Sequence, residues 1–445
     1  MKSRRLEFVS GNTAKKSGVA FVECHYPVRF DEFQTEDRNN TKNPDLAAIV
    51  AADVSQLLVE KLEMGSVELH DHENQFPRVA DTNDSESSRI VLDLNDLTAL
   101  SDSLSEFDLK RAYMLQLNGL TTITDSEAEF LGQHKGYLAL NSLYSLSDSQ
   151  AIALAKQDGM LSLNGLNALP LEIAEALSRH VGDIFLGGLN NLSDESAEAL
   201  AKLNGTLFLD GLDVISVRVA VALAKHHGTL ILDGLTDLPD DVAEALSKHD
   251  GPLSFGELEC LSVESAEFMG KHVGDLYLDG LSFLSDEAAQ ALSEHHGDIS
   301  FDNLVGLSGV AAESITKVKG TLSFGALEDL PATVAEALSY HQDDLHLNGL
   351  KSISCEAARA LAKHQGDLYL DGLTDLSARS AKALSKHQGD LYLDGLKSLS
   401  DSAAISLANH EGYIETNTEL VLSDIAEQAL YNQEEAFFSK SSTPD

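Results

Sequence analysis

The heptapeptide Asp275-Leu-Tyr-Leu-Asp-Gly-Leu281 decides the fold, because it recurs unchanged at 367–373 and 390–396. Around it, a 23-residue pattern repeats fourteen times without insertion or deletion from Val91 to Gly412. The pattern is x-L-x-L-[DN]-G-L-x-x-L-S-D-x-x-A-x-A-L-x-K-H-x-G. A unit this short cannot bury its own apolar face, so successive units must stack around a continuous core. We number the positions 1–23, with position 1 at residues 91, 114 and so on.

Each part of the unit predicts a local structure. Leucines at positions 2 and 4 alternate with variable residues, which is the period of a short strand with one buried face. Asp-Gly or Asn-Gly at positions 5 and 6 predicts a turn in which glycine takes a positive φ. Leucines at positions 7 and 10 then point inward. We therefore expect one parallel strand over about positions 2–4 of each repeat.

The second half of the unit predicts a helix of about nine residues. Ser-Asp at positions 11 and 12 favours an N-cap, and Ala and Leu at 15, 17 and 18 form its apolar face. Lys, His and Gly at positions 20, 21 and 23 suit a helix C-terminus, with glycine after the last turn. Three repeats carry proline at position 11 and Ile or Val at position 14, which predicts a second way to start the helix; their residues are Pro170, Pro239, Pro331, Ile173, Val242 and Val334.

Leu-Thr-Thr-Ile-Thr-Asp at 120–125 and L-x-L-x-x-L-x-x-L-S-D elsewhere resemble leucine-rich repeats. The subtype is similar to the cysteine-containing one, with Leu in place of Cys, and the first leucine of L-x-x-L is missing. This resemblance implies an α/β solenoid with a parallel sheet on the concave face and short helices on the convex face. It covers 91–412 and implies a binding protein without naming the partner.

Residues 1–70 lie outside the repeats and are similar to a WGR domain in Arg4–Val9 and Leu58–Gly65, although the chain contains no Trp. This resemblance implies a small, degenerate α+β domain, within which 18–24 is expected to form a strand. We expect 71–90 to be a linker. Residues 413–445 are expected to form a degenerate capping repeat, with a helix at 424–437 and a disordered tail from Lys440.

Charge and composition exclude several classes of function. Lys and Arg number 31 and Asp and Glu 72, giving a net charge of −41. Such a field repels nucleic acid and anionic membranes. Three well-separated cysteines, no long apolar run and no apolar signal core predict a cytoplasmic protein that does not enter membranes.

Histidines at position 21 raise the question of a metal site. Adjacent helices would hold these rings roughly 8–10 Å apart, which does not suit shared zinc ligation. We therefore interpret them as helix caps and expect neither a metal nor a cofactor. Gly306-Leu307-Ser308-Gly309 lacks the spacing of a hydrolase nucleophile, and no other catalytic pattern is present, so we expect no enzyme activity.

Position 3 gives the candidate binding residues. It lies between two buried leucines and must point outward, yet it carries large apolar and aromatic residues. These either stack as good strand formers or form a binding face with aspartates at positions 1 and 5. Aspartate at position 5 also suits a turn, whereas the pattern gives no structural reason for aspartate at position 1. The candidates are Phe185, Phe208, Asp210, Asp233, Asp275, Tyr277, Asp279, Asp367, Tyr369, Asp371, Asp390, Tyr392 and Asp394.

The sequence therefore predicts a non-catalytic interaction scaffold. It would bind a basic protein through its acidic, aromatic concave face, with carboxylates taking charge-assisted bonds and rings contacting the alkyl stems of Lys or Arg or making cation–π contacts. Two alternatives stay open. One is a bacterial regulator that uses the WGR-like domain in nucleic-acid or nucleotide signalling. The other is a secreted effector that acts on a host protein.

Overall fold

The computed structural model describes residues 19–23, 89–93, 95, 100, 112–417 and 420–441. The chain forms two compact units, Met1–Leu209 and Asp210–Asp445. In both, one short strand and one short helix alternate every 23 residues, and sequential strands pair in parallel. The predicted leucine-rich-repeat architecture is thus confirmed.

The first unit contains the earlier strands and helices. Its strands are β1 Val19–Glu23, β2 Arg89–Asp93, β3 Ala112–Gln116, β4 Lys135–Ala139, β5 Asp158–Ser162, β6 Ile184–Phe185 and β7 Leu207–Phe208. Its helices are α1 Asp125–Leu131, α2 Asp148–Leu154, α3 Leu171–Leu177 and α4 Asp194–Leu200.

The second unit contains the later ones. Its strands are β8 Leu230–Ile231, β9 Leu253–Ser254, β10 Leu276–Tyr277, β11 Ile299–Ser300, β12 Leu322–Ser323, β13 Leu345–His346, β14 Leu368–Tyr369, β15 Leu391–Tyr392 and β16 Ile414–Glu415. Its helices are α5 Val217–Leu223, α6 Asp240–Leu246, α7 Val263–Met269, α8 Asp286–Leu292, α9 Gly309–Ile315, α10 Ala332–Leu338, α11 Cys355–Leu361, α12 Ala378–Leu384, α13 Asp401–Leu407 and α14 Asp424–Ser441.

The register aligns equal repeat positions in rows. In β10 and β11, Leu276 faces Ile299 and Tyr277 faces Ser300. Most strands cover only positions 2 and 3, one residue fewer than predicted, because the chain turns after position 4. Leu278 still donates its N–H to the carbonyl of Ser300 at 2.9 Å, and its own carbonyl accepts from Leu281.

The core lies between the strands and the helices. Leucines at positions 2, 4, 7 and 18, such as Leu276, Leu278, Leu281 and Leu292, are fully buried. Where phenylalanine replaces leucine at position 4, it is also fully buried, and the rings of Phe301 and Phe324 stack at 5.8 Å. Side chains at position 3 point to the opposite side, as the alternation predicts.

The helices are shorter than predicted, at seven residues up to α13. Serine or threonine at position 11 caps them as expected; Ser285, for example, accepts from the N–H of Ala288. The proline repeats start their helices without a side-chain cap. In those repeats the β-branched residue at position 14 is buried, as at Val242.

The sequence predicted a positive φ for the glycine at position 6 and a place directly after the helix for the glycine at position 23. Both predictions were wrong. Glycine at position 6 does not take a positive φ among the described residues. At Gly395 a Cβ would instead collide with the carbonyl of Asp371 in the preceding repeat. Glycine at position 23 lies at the start of the next strand rather than directly after the helix; at Gly320, φ is 138° and a Cβ would lie 2.5 Å from the carbonyl oxygen of Gly297.

The ends of the repeat array are partly described. β1 confirms the expected strand and pairs in parallel with β2, thereby covering the first strand of the array. β2 begins at Arg89, inside the predicted linker. The remainder of the WGR-like segment lies outside the described residues. Helix α14 continues to Ser441, past the predicted end at 437 and into the predicted tail. None of the helices within the described ranges is long and apolar enough to cross a membrane.

Candidate protein-binding face

Position-3 side chains form a row across the outer surface of each unit's sheet. In the second unit this row includes Ile231, Ser254, Tyr277, Ser300, Ser323, His346, Tyr369 and Tyr392, and its larger members reach solvent. We call it the position-3 row. Rows of position-1 and position-5 side chains run on either side of it, because all three rows follow the same strand register.

Three neighbouring members of the position-3 row form an aromatic stack. The ring centroids of His346 and Tyr369 lie 3.9 Å apart, and those of Tyr369 and Tyr392 lie 4.0 Å apart with planes 4° from parallel. Both faces of Tyr369 are therefore covered. Tyr369 therefore offers its edge and hydroxyl group to a partner, and cation–π contact stays a prediction for the other rings of the row.

His346 belongs to this site although the candidate residues did not include it. It occupies position 3 of its repeat, so the register alone could have identified it. Burial lowers the pKa of His346, against the opposing effect of nearby carboxylates such as Asp344.

The first unit has an apolar version of this surface. Phe185 and Phe208 stack at 3.9 Å, and Tyr137 meets Phe185 edge to face at 6.1 Å. Tyr137 packs with the buried Met114 and Ala139, and Phe185 lies against this cluster. Position 1 carries methionine or tyrosine at Met114, Tyr137 and Met160 and aspartate only at Asp183, so this surface is less acidic than that of the second unit.

The position-5 side chains form a ladder of hydrogen bonds to the backbone. Oδ1 of Asp371 accepts from the N–H of Asp394 at 3.0 Å, one repeat later. Asparagines make the same bond, as Asn118 does with the N–H of Asn141. Asp233 accepts from both the Ser254 hydroxyl and the Gly256 N–H. Aspartate and asparagine share this position because both offer the required Oδ1 acceptor.

Position 1 carries a second ladder that the sequence analysis missed. Oδ1 of Asp367 accepts from the N–H of Asp390 at 2.8 Å, and Oδ1 of Asp390 accepts from Tyr413. Asp275 does the same for Asp298. These aspartates therefore have a structural role, and one carboxylate oxygen of each is left to meet an external donor.

Desolvation, with a smaller effect of neighbouring carboxylates, raises the pKa of several aspartates in these rows. Restricted access to water, together with the charge of Asp233, raises the pKa of Asp210 to about 6. Desolvation likewise raises the pKa of Asp367 and that of Asp394, with the neighbouring aspartates adding to the effect. A hydrogen bond with Tyr369 raises the pKa of Tyr392. A cation bound here would relieve this repulsion.

Position-21 histidines form a separate ladder inside the protein. Their rings stack at 6.0–6.2 Å in two runs, His226 to His295 and His341 to His410. The predicted separation of 8–10 Å was wrong, because the rings face one another between successive repeats. His249 Nε2 lies 3.0 Å from the carbonyl of Gly228; since a carbonyl can only accept, Nε2 carries the proton.

The predicted capping role is modified at His180, His249 and His341, because each places Nε2 2.9–3.0 Å from a backbone carbonyl of the preceding repeat. His341 Nε2 lies 2.9 Å from the Gly320 carbonyl, and its Nδ1 lies 3.3 Å from that of Thr316, which ends helix α9. Within the part of the chain that the structure describes, no three His, Cys, Asp or Glu side chains are grouped so that they could hold a metal ion.

No family model matches the chain, and a comparison with curated proteins finds no relative. Similar solved structures include a leucine-rich-repeat protein from Leptospira interrogans (20% identity, 78% of this chain, 82% of that chain, TM-score 0.36). An internalin from Listeria monocytogenes matches at 14% identity over 66% and 82%, with a TM-score of 0.35. TLR13, in a complex with ssRNA13, matches at 16% over 70% and 44%, with a TM-score of 0.38.

The fold rests on the chain's own strands, helices and register, which form leucine-rich repeats.

Proposed function

We propose that the chain is a non-catalytic interaction scaffold that binds a basic protein through the outer sheet face of its second unit. One observation carries the proposal. The stack of His346, Tyr369 and Tyr392 lies between two rows of acidic side chains, in a protein with a net charge of −41. Aromatic groups bordered by charge are typical of recognition surfaces.

The hydrogen-bond ladders prepare this face for binding. Because backbone N–H groups hold one oxygen of Asp367, Asp371 and Asp390, these carboxylates are oriented before a partner arrives. Their second oxygens can accept charge-assisted bonds from lysine or arginine. Single exposed ion pairs contribute little, so the stacked tyrosines, through their contact area and hydroxyls, supply most of the affinity.

The proposal places this scaffold in the cytoplasm. Cys260 and Cys355 are both free thiols and lie on different repeats, which fits a reducing compartment. The partner is a protein rather than a nucleic acid, since carboxylate rows repel phosphates.

The test is comparative capture from a native lysate at low and high salt. We expect the double variant Tyr369→Ala with Tyr392→Ala to lose a protein that wild type retains at low salt and releases at high salt. Phe283→Ala is the matched control, because Phe283 is 70% exposed and lies at position 9, off the sheet face. Its capture should equal that of wild type.

Thermal melting must accompany the capture. The double variant should melt within a few degrees of wild type, because both tyrosines reach solvent. Equal capture by the double variant and wild type would refute binding at this stack.

A further inference from the structure

Tyr277 differs from the other tyrosines of the position-3 row. The register places Ser254 on one side of it and Ser300 on the other. Its side chain is 37% exposed, and among the residues that the structure describes no other ring stacks on it. Both faces of Tyr277 are therefore bordered by small side chains.

The Tyr369–Tyr392 pair shows what a neighbouring strand can hold. There, adjacent strands place two parallel rings 4.0 Å apart. Beside Tyr277 the corresponding place is occupied only by serine, whose hydroxyl is turned to a carboxylate: Ser300 donates to Asp279 at 2.5 Å and Ser254 to Asp233 at 2.6 Å. Among the described residues, the place that a second ring takes beside Tyr369 thus holds no ring on either side of Tyr277.

The two sides of the Tyr277 ring differ in charge. The repeat of Ser300 carries Asp298 at position 1 and Asp302 at position 5, whereas that of Ser254 carries Pro252 and Gly256. Oδ1 of Asp298 accepts from the N–H of Thr321, and Oδ1 of Asp302 accepts from the N–H of Gly325. Both residues are exposed, and each keeps its second oxygen for an external donor.

A planar cation fits the Ser300 side best. A guanidinium group stacks on an aromatic face and presents N–H donors along its edge, whereas ammonium is a compact point charge. Two carboxylates on opposite sides of an open ring face suit the extended arginine fork. Desolvation and the charges of Asp275, Asp298 and Asp279 also raise the pKa of the Tyr277 hydroxyl, which reflects a negative surrounding field.

We propose that the Ser300 side of Tyr277 is a subsite for an arginine side chain of the protein partner, bound between Asp298 and Asp302. This inference rests on the proposed function and deepens it, because it names the residue that the partner supplies. Arginine, rather than lysine, determines the specificity of this part of the face.

Two serine variants form a matched pair for the test. Ser300→Phe would fill the acidic side of Tyr277, and Ser254→Phe would fill the neutral side. Each removes one serine-to-aspartate hydrogen bond, and each serine is 8% exposed. Neither variant changes the net charge, so long-range attraction of cations is the same in both.

The probes are tetra-arginine and tetra-lysine peptides, titrated into the full chain carrying 3-fluorotyrosine. The fluorine resonance of Tyr277, assigned by its loss in Tyr277→Phe, reports occupancy. We expect tetra-arginine to bind at Tyr277 about threefold or more tightly than tetra-lysine. Ser300→Phe should weaken the binding of tetra-arginine about fivefold, while Ser254→Phe should leave this binding unchanged. A second variant, Tyr277→Leu, should remove the preference for arginine in fluorescence anisotropy with labelled peptides.

The outcomes separate the two proposals. If neither peptide binds the wild-type chain saturably, the basic partner and the arginine subsite both fail. If both peptides bind equally, or if the two serine variants behave alike, the arginine subsite fails and the scaffold proposal stands. Unchanged binding of tetra-arginine by Tyr277→Leu would also refute the subsite.

Discussion

At the scale of single residues, the position-21 ladder shows how one buried polar side chain can donate a hydrogen bond to a backbone carbonyl of the preceding repeat. Two repeats replace histidine with glutamine, and both keep the donor: Gln157 Nε2 donates to the Gly136 carbonyl at 2.5 Å, and Gln433 Nε2 to the Gly412 carbonyl at 2.7 Å. Leu203 and Val318 fill the same position with apolar side chains and are buried. Position 21 thus requires above all a side chain that fills the buried volume, and a hydrogen-bond donor is of secondary importance.

The same ladder predicts acid sensitivity. Burial, followed by the charges of neighbouring rings, lowers the pKa of His272, His364 and His387 from 6.5 to about 4. Between these values the unfolded chain binds protons that the folded chain does not. The stability that these residues contribute is therefore present above pH 6.5 and is lost as the pH falls toward 4.

His387→Gln tests this linkage, because glutamine occupies position 21 in two other repeats and does not titrate. The free energy of unfolding should fall between pH 7 and pH 5 in both proteins. Urea unfolding at the two pH values should show that this fall is about 1–2 kcal/mol smaller in the variant than in wild type. His296→Gln, at an exposed histidine, is the matched control. An identical fall in wild type and His387→Gln would mean that the folded ring titrates like the unfolded one.

At the scale of strands and helices, close approach between repeats decides where glycine is required. Gly306 and Gly320 lie in the same repeat, at positions 9 and 23, and offer a direct comparison. A Cβ on Gly320 would meet the Gly297 backbone at 2.5 Å with φ at 138°, whereas a Cβ on Gly306 would meet nothing within 4 Å. Gly320→Ala should therefore destabilise by about 2 kcal/mol or more, and Gly306→Ala should change stability by less than about 1 kcal/mol.

Urea unfolding of both glycine variants measures the difference. Similar midpoints would show that adjacent repeats can separate enough to admit a methyl group at the strand start.

The buried leucines set the energy of each repeat. Leu278 is fully buried between strand and helix, so Leu278→Ala should cost about 2–5 kcal/mol through the cavity it leaves. Val273→Ala, at a side chain 67% exposed, should change the urea midpoint little. A midpoint for Leu278→Ala equal to that of wild type would show that the core closes around the missing atoms.

The leucine period was sufficient to predict strand, helix and stacking, because one residue type at fixed spacing defines the buried face. The outward-facing chemistry was harder to predict. The sequence correctly predicted that the position-3 rings point outward. It did not distinguish Tyr369 from Tyr277, because these two tyrosines differ only in the side chains that neighbouring strands place beside them, 23 residues away. The bond from Asp390 N–H to Asp367 joins residues of two repeats, so no local motif reveals it.

At the scale of the whole molecule, charge is the dominant property. Because the unit is repeated, each acidic position recurs on successive strands. The repulsion between like charges therefore grows with each added repeat. The chain tolerates this because Oδ1 of the position-1 and position-5 aspartates is bound to the backbone, which partly offsets like-charge repulsion. Under the proposed function, the charge left on the outer oxygens attracts the basic partner over a distance that the salt concentration sets.

The four aspartates that flank Tyr369 and Tyr392 separate these structural and electrostatic roles. Asparagine keeps the Oδ1 acceptor, as Asn348 does toward the N–H of Asp371, so replacing all four with Asn should not lower the melting temperature. It should reduce the dependence of the association rate on salt, because association of charged surfaces is steered by the local field. The substitutions are Asp367→Asn, Asp371→Asn, Asp390→Asn and Asp394→Asn. Stopped-flow binding at several salt concentrations measures the slope.

An equal change of net charge elsewhere supplies the control. Four exposed glutamates of the helix side of the second unit, replaced by Gln, alter the total charge without touching the position-1 or position-5 rows; they are Glu264, Glu267, Glu287 and Glu294. If the sheet face guides the partner, the salt slope should fall much more in the aspartate variant than in the glutamate variant. Equal slopes in the two variants would assign steering to the net charge of −41 rather than to the rows beside the tyrosines.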